Sequence, residues 1–138
     1  MKRLLGLMAV LAAIACSSQS RSTSLRSSVS DFARYMRWGQ VEKAAELVPA
    51  ARRLQFLAQK RAAQSSMIIH EYDIRSVDPD VTGERAVVVV AVAWSRPNDP
   101  VMRTDFMVQS WQWQNAHWLM TEQKQLETPE ITSPDQGL

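Results

Sequence analysis

Apolar residues recur every three or four positions between residues 25 and 38, which is the spacing of a helix with one buried face. Ser28 and Asp31 favour a helix start, because a short acceptor suits the cap and an acid suits the first turn. Gly39 favours the end of that helix. The apolar members of this face are Leu25, Val29, Phe32 and Met36.

The same spacing continues over residues 41–63 and predicts a second helix, which Pro49 interrupts. Its apolar stripe consists of Val41, Ala44, Ala45, Val48, Leu54, Leu57 and Ala58. The first half of the folded region is therefore predicted to be a helical hairpin that buries one face.

After Ser66 the pattern changes to the alternation and the β-branched runs that are typical of strands. The predicted strands are residues 67–77, 85–94, 101–114 and 117–125. The turn clusters "DPDVTGE" and "SRPNDP" separate the first three, and Pro97 and Pro100 are expected to lie outside the ladder. A tight turn at Asn115 and Ala116 precedes the last strand.

This order of elements predicts an α+β fold, in which the helical hairpin packs on a curved antiparallel sheet of about four strands. We expect this domain to occupy residues 28–125. Residues 126–138 form a polar, proline-containing tail that we expect to be disordered.

The start of the chain has the layout of a secretory signal peptide over residues 1–15, with two cations before the apolar residues 4–15. That stretch is shorter than the roughly 20 apolar residues that span a bilayer. Its end, "AIAC", resembles the lipobox of bacterial lipoproteins, which implies that Cys16 is lipidated and becomes the first mature residue. The alternative is ordinary secretion, because Ala13 and Ala15 also fit an A-x-A cleavage site. Lipidation accounts for the chain's single cysteine, and we therefore favour it.

Residues 16–27 are expected to form the lipidated cysteine and a flexible tether, because the stretch "SSQSRSTSLRSS" is rich in serine. In lipoproteins of this type, a residue other than Asp after the cysteine is associated with the outer membrane, and Ser17 fits that pattern. The resemblance thus implies a palmitate-type anchor in a bacterial cell envelope, with the domain in the periplasm.

The net charge of +2 falls to zero once Lys2 and Arg3 leave with the signal peptide, which argues against nucleic-acid binding. Residues 21–61 carry nine basic and three acidic side chains, whereas residues 62–138 carry five and eleven. We favour a basic helical layer beside an acidic sheet layer. The alternative is that a cluster in the helical half faces anionic headgroups. That cluster consists of Arg52, Arg53, Lys60 and Arg61.

The segment "RWGQVEKAAELV" between helices and the closing "WQWQNAHWLM" resemble the nuclear transport factor 2-like superfamily, which includes SnoaL-like domains. The resemblance covers roughly residues 27–125. It implies a curved sheet rolled around helices into a cone, often with a cavity. Members include ketosteroid isomerase, scytalone dehydratase and polyketide cyclases, whose cavities hold an Asp or His base.

Strand parity places His70 and Tyr72 on the side of Ile68 and Ile74, and it places Asp105 on the side of Trp111. These three polar residues are weak catalytic candidates that would meet beside Trp94 in a cone. We favour the simpler explanation that each of them occupies an ordinary rim or half-buried position. No spacing suggests a metal site or a cofactor.

The tryptophans of the strand half are expected mainly to fill the core. The candidates to line a pocket are Tyr72, Trp94, Trp111 and Trp113. The strand at 85–94 is apolar on both faces, and its second face needs a cover. The interface candidates on that face are Val87, Val89, Ala91 and Ala93.

Two functions remain open from the sequence. The first is a non-enzymatic binding module on a membrane anchor, which holds an apolar ligand in the cone or pairs through the sheet face with a second copy or another envelope protein. The second is a small cavity enzyme of the isomerase, dehydratase or cyclase type, with Asp105 or His70 as general base.

Overall fold

The computed structural model describes residues 5–127, with side chains from residue 19 onward. Residues 1–4 and 128–138, which include the start of the expected signal peptide and most of the polar tail, lie outside the described part. The helical elements are α1 (Leu5–Arg37), α2 (Val41–Ala45), a 3-10 turn (Ala50–Arg52) and α3 (Arg53–Gln64). The strands are β1 (Ile68–Pro79), β2 (Arg85–Arg96), β3 (Asp99–Gln114) and β4 (His117–Gln125).

The chain has an α+β fold with a helix-rich N-terminal part and an open antiparallel sheet in the order β1-β2-β3-β4. Each strand pairs with the next along the chain. The predicted α+β class and the predicted four antiparallel strands are confirmed. Asn115 and Ala116 form the predicted tight turn with φ values of 49° and 63°. Such left-handed pairs match the twist of a two-residue hairpin.

Helix α1 begins far upstream of Ser28, so the predicted helix start is wrong. The serine-rich stretch expected to be a tether lies within α1, and Leu25 is already fully buried. Serine is a weak helix former, but packing of an apolar face outweighs propensity in most protein helices. The predicted face of α1 does pack on the sheet, and its members are all buried: Leu25, Val29, Phe32 and Met36.

Pro49 separates α2 from α3 as expected, but of the predicted stripe beyond it only Leu57 packs against the core. Leu54 is 83% exposed and Ala58 is exposed, whereas Phe56 is the buried residue of α3. A 3-10 turn follows Pro49 and breaks the helical periodicity between α2 and α3. The residues of α3 that face the core therefore cannot be obtained by continuing the spacing of α2.

Two irregularities in β1 change which residues face the helices. Register shifts lie between Ile69 and Glu71 and between Ile74 and Ser76. Each extra residue reverses the alternation that follows it. As a result Ile69, not Ile68, joins Tyr72 in packing against the core, and Ile68 is 45% exposed.

Strand β3 starts two residues earlier than predicted and contains Pro100, which was expected outside the ladder. The pairing of β4 with β3 begins only at Met107, so the start of β3 has a free edge. Proline is tolerated there because no neighbour needs its missing N–H.

The core lies between α1, α2 and the inner face of the sheet. The ring of Phe32 is at its centre, with centroid distances of 6.0 Å to Phe56, 6.4 Å to Tyr72 and 5.9 Å to Trp111. The pairs with Tyr72 and Trp111 are edge-to-face, and such pairs stabilise a core by about 0.5–1.5 kcal/mol each beyond their burial.

Candidate functional site

A cavity of about 130 Å³ lies between the helices and one end of the sheet. Its helical wall includes Met36 from the last turn of α1 and Lys60 from α3. Gly39 and Gln64 also line it, and both are solvent-exposed, so the cavity opens to solvent on that side. Its lining is mostly apolar.

The sheet wall of the cavity is built from cross-strand neighbours. Tyr72 on β1 is directly opposite Val92 on β2, which in turn is opposite Asp105 on β3. All three line the cavity, as does Trp94, two residues along β2. Directly opposed side chains on one sheet face have Cβ atoms roughly 4.5–5.5 Å apart, so these residues form one continuous wall.

A hydrogen-bonded network fixes the polar part of this wall. The Tyr72 hydroxyl donates to Gln123 Oε1 at 3.2 Å and accepts from Gln109 Nε2 at 3.1 Å. Gln109 Nε2 also donates to Gln123 Oε1 at 2.9 Å, and Gln109 Oε1 accepts from the Trp111 indole at 3.0 Å. Burial raises the pKa of the Tyr72 phenol, so it stays a neutral hydroxyl at physiological pH.

Three charged side chains and one unpartnered donor complete the cavity, and the first of these, Arg37, donates to the carbonyl of Ile69 at 3.0 Å. Burial lowers the pKa of the Lys60 ammonium, which lies 5.7 Å from the centroid of the Phe56 ring. Asp105 is half-buried, and among the described residues neither it nor Lys60 forms an ion pair. The indole N–H of Trp94 is buried and has no hydrogen-bond partner within the described chain. A buried donor without a partner costs roughly 1–3 kcal/mol.

The structure brings Tyr72, Trp94 and Asp105 together in this cavity but not the other candidates. His70 is exposed and hydrogen-bonds Ser95 Oγ at 2.8 Å, because the register shift beside it turns it away from Tyr72. Trp111 is fully buried within the core.

Trp113 lies toward the opposite end of the sheet from the cavity. Its ring packs on Trp118 with centroids 5.6 Å apart. Neither ring is part of the cavity lining.

Sequence reasoning missed Lys60, Gln109 and Gln123 as parts of the site. Gln109 has a signal in the sequence, since it stands two residues from Trp111 on the inward side of a strand. A buried amide at such a position needs partners, and that requirement indicates a polar network. The positions of Lys60 and Gln123 depend on how α3 and β4 pack, which their local sequence does not specify.

The outer face of the sheet carries an apolar patch, which we define as Val87, Val89, Ala91, Ala93, Phe106 and Val108. Val87 is 46% and Phe106 is 39% exposed, whereas Ala91 is only 4% exposed. Cross-strand pairing makes the patch continuous, because Val89 is opposite Val108 and Ala91 is opposite Phe106.

The basic cluster of the helical half is largely engaged with the protein itself. Arg52 donates to the carbonyl of Thr121, and Arg53 Nε donates to the carbonyl of Val48 at 2.9 Å. Arg61 pairs with Glu42 at 2.7 Å. These contacts favour the view that the cluster supports local packing, and they leave fewer free cations for anionic headgroups.

No group of three potential metal-ligating side chains occurs in the part of the chain that the structure describes. Over those same residues, no helix combines the length and the apolar character that crossing a bilayer requires.

Comparison with known proteins gives a likeness in fold. No protein-family model matches the chain, and no curated protein sequence is significantly similar to it. The chain is similar to the solution structure of a SEC-C motif containing protein from Rhodopseudomonas palustris, with a TM-score of 0.58 and 14% identity over 68% of this chain and 72% of that one. It is also similar to the crystal structure of the intermembrane space region of the chloroplast protein ARC6, with a TM-score of 0.51 and 17% identity over 77% of this chain and 96% of that one.

Proposed function

We propose that this protein is a lipid-anchored envelope protein whose domain binds a small, largely apolar molecule in the cavity and does not transform it. The observation that carries the proposal is the cavity itself, whose apolar lining is combined with a fixed polar wall at Tyr72 and Gln123. Binding sites for small molecules commonly have this composition.

The size of the cavity limits the ligand. An engineered cavity of about 150 Å³ holds a benzene molecule, and the volume here is about 130 Å³. A single aromatic ring or a short branched chain fits inside, and a longer ligand would extend through the open side beside Gly39 and Gln64.

The free polar groups limit the chemistry of the ligand. The Lys60 ammonium lines the cavity and forms no ion pair among the described residues, and the Trp94 indole N–H has no hydrogen-bond partner there. We therefore propose a ligand with an apolar body and a hydrogen-bond acceptor, such as a carbonyl, hydroxyl or carboxylate oxygen. Asp105 at the same wall would disfavour a carboxylate held close to it.

The anchor and the shape of the domain belong to the same proposal. Cys16 follows a lipobox-like stretch, and a lipid there would hold the domain at a membrane. We propose that this is the outer membrane, on its periplasmic side.

We propose that the register shifts in β1 curve the sheet around the helices, so that the cavity is the interior of a cone of the nuclear transport factor 2-like type.

Enzymatic proton transfer is the second candidate, and one observation favours it. Asp105 lines an apolar cavity, and a carboxylate in such a position can take a proton from a bound substrate. His70 is outside the cavity, so Asp105 is the residue on which this alternative rests. A variant Asp105→Asn that still binds the ligand but no longer converts it would favour the enzyme over the binding module.

The apolar patch on the outer sheet face supports a second proposal, which is that the protein associates with another chain through this surface. We propose that a second copy of the chain covers it, since the patch runs along β2 and the neighbouring part of β3. Another envelope protein is the alternative cover.

A cavity-filling substitution tests the ligand proposal. Ala63 lines the cavity, whereas Ala58 is on the exposed side of the same helix. We expect Ala63→Phe to weaken binding of a single-ring probe such as indole or p-cresol at least about tenfold by calorimetry, because the added ring occupies the site. The matched control Ala58→Phe should bind as the wild type does.

Native mass spectrometry of the protein extracted from its own membranes would identify a retained ligand. Equal probe affinity in Ala63→Phe and wild type, with no small molecule retained in the native spectrum, would overturn the cavity proposal.

A further inference from the structure

The N-terminal part of α1 is fixed to one end of the sheet by contacts at Arg21. The Trp118 indole donates to the Arg21 carbonyl at 3.0 Å, and the Arg21 guanidinium lies 3.7 Å from Glu84 Oε1 and 6.0 Å from the centroid of Trp113. Residue 21 therefore belongs to the folded body, and the segment between Cys16 and the folded body is much shorter than the serine-rich sequence indicates.

Four residues separate Cys16 from Arg21. In a helix, five steps of the chain cover about 8 Å, and fully extended they cover at most about 17 Å. A lipid on Cys16 thus holds the Arg21 end of the domain within about 17 Å of the headgroups. The domain is longer than that reach, because the twelve residues of β2 cover about 40 Å.

Two hairpins lie at the Arg21 end of the sheet. We define the hairpin end as residues 80–84 and 115–116 together with Arg21. The first hairpin joins β1 to β2 and the second joins β3 to β4, and Trp113 N–H bonds the Glu84 carbonyl between them. Val81 at the tip of the first hairpin is fully exposed.

The cavity lies toward the opposite end of the molecule. Its residue Trp94 is near the end of β2 that is remote from the first hairpin, and Met36 is in the last turn of α1. The fifteen helical steps of α1 from Arg21 to Met36 cover about 22 Å.

From this arrangement we propose that the anchored domain stands on the bilayer with its hairpin end against the headgroups and its cavity open toward the aqueous side. The inference rests on the lipid anchor of the proposed function, and it goes further by identifying the surface of the domain that faces the bilayer. Its consequence is that the ligand reaches the cavity from the aqueous compartment or from a partner there, and not by sliding out of the anchoring bilayer.

Depth-dependent quenching tests this orientation. A genetically encoded coumarin amino acid is placed at Val81 in the hairpin end or at Asn98 in the β2–β3 turn, both of which are exposed. The lipidated protein is reconstituted in phosphatidylethanolamine and phosphatidylglycerol vesicles that contain a nitroxide-headgroup lipid. We expect several-fold stronger quenching at residue 81 than at residue 98. Equal quenching, or stronger quenching at residue 98, would overturn the proposed orientation.

An insertion variant supplies the matched control. Twelve Gly and Ser residues added after Ser17 lengthen the chain by a flexible segment with a mean span of about 20 Å. We expect this insertion to reduce the difference between the two labels while the protein stays on the vesicles. An unchanged difference would overturn the claim that chain length sets the orientation.

Failure of the anchor is detected separately. Flotation of the cell-derived protein with vesicles reports whether the lipid is present, whatever the orientation. If it does not float, the mature chain is coupled to a maleimide lipid through Cys16, its single thiol. The same quenching comparison then tests the orientation without depending on lipidation in the cell.

Discussion

At the scale of single residues, Gln109 connects the polar wall of the cavity to the core. It is 1% exposed, donates to the Tyr72 hydroxyl and to Gln123, and accepts from the Trp111 indole. We expect Gln109→Leu to lower the free energy of unfolding by about 1–3 kcal/mol, because it leaves the buried Trp111 N–H without an acceptor. Urea denaturation followed by tryptophan fluorescence measures the change.

The matched control for Gln109 is Gln112→Leu. Gln112 is three residues along β3 on the opposite face of the sheet, and its side chain accepts from Gln114 at 3.1 Å. We expect this change to cost less than about 1 kcal/mol, since its partner keeps access to water. Equal losses in the two variants would show that the inner network adds no stability of its own.

Residue positions on the sheet were predictable where the strand is regular. Parity correctly puts Asp105 on the same side of β3 as Met107, and both line the cavity. The same reasoning fails for His70, since the register shift between Ile69 and Glu71 reverses the alternation. Nothing in the local sequence marks that shift, because it depends on how β1 pairs with β2.

At the scale of elements, the first hairpin is held by a carboxylate. Asp80 Oδ1 accepts from the Thr82 hydroxyl at 2.7 Å and from the backbone N–H of Thr82 and of Gly83. The hydrogen bond from the Thr82 hydroxyl is the largest cause that holds the pKa of the Asp80 carboxyl below its usual value. This is the arrangement of an Asx turn.

The pH dependence of the hairpin follows from that lowered pKa. A carboxyl whose pKa is lower in the folded state stabilises the fold above its unfolded pKa, and the stabilisation is lost as pH falls through the folded pKa. We therefore expect Asp80→Ala to destabilise the protein at about pH 7 and to differ less from the wild type at about pH 2. Thermal melts of both proteins across this range provide the measurement. A stability difference that does not change with pH would contradict the assigned role of the carboxylate.

The boundaries of the elements show what local sequence can and cannot specify. Strand β2 and the turn at Asn115 and Ala116 were predicted correctly, because each is specified by the residue types in its own short segment. The extent of α1 was not predictable, because serine propensity favours a loop and the contacts that hold Arg21 come from Trp118 and Glu84, which are distant in the sequence. The prediction that Pro100 lies outside the ladder was wrong for a similar reason. Strand β4 pairs with β3 only from Met107 onward, and the unpaired edge before it tolerates a proline.

At the scale of the whole molecule, the domain presents its cavity and its apolar sheet patch on different faces, so the two can be disrupted independently. We expect Val89→Arg to convert a dimer into a monomer, because it places a charge at the centre of the patch opposite Val108. Leu54→Arg is the control, since Leu54 is 83% exposed on α3 and is not part of the patch. Native mass spectrometry of the detergent-extracted protein counts the subunits.

The same pair of variants decides which surface the ligand depends on. The patch is on the outer face of β2, whereas Val92 and Trp94 reach the cavity from the inner face of that strand. Loss of the dimer in Val89→Arg with unchanged probe affinity would mean that association and binding are separate properties of one sheet. An unchanged subunit count would remove the second-copy proposal and leave the cavity as the working part. Joint loss of both would mean that dimerisation holds β2 in the geometry that shapes the cavity.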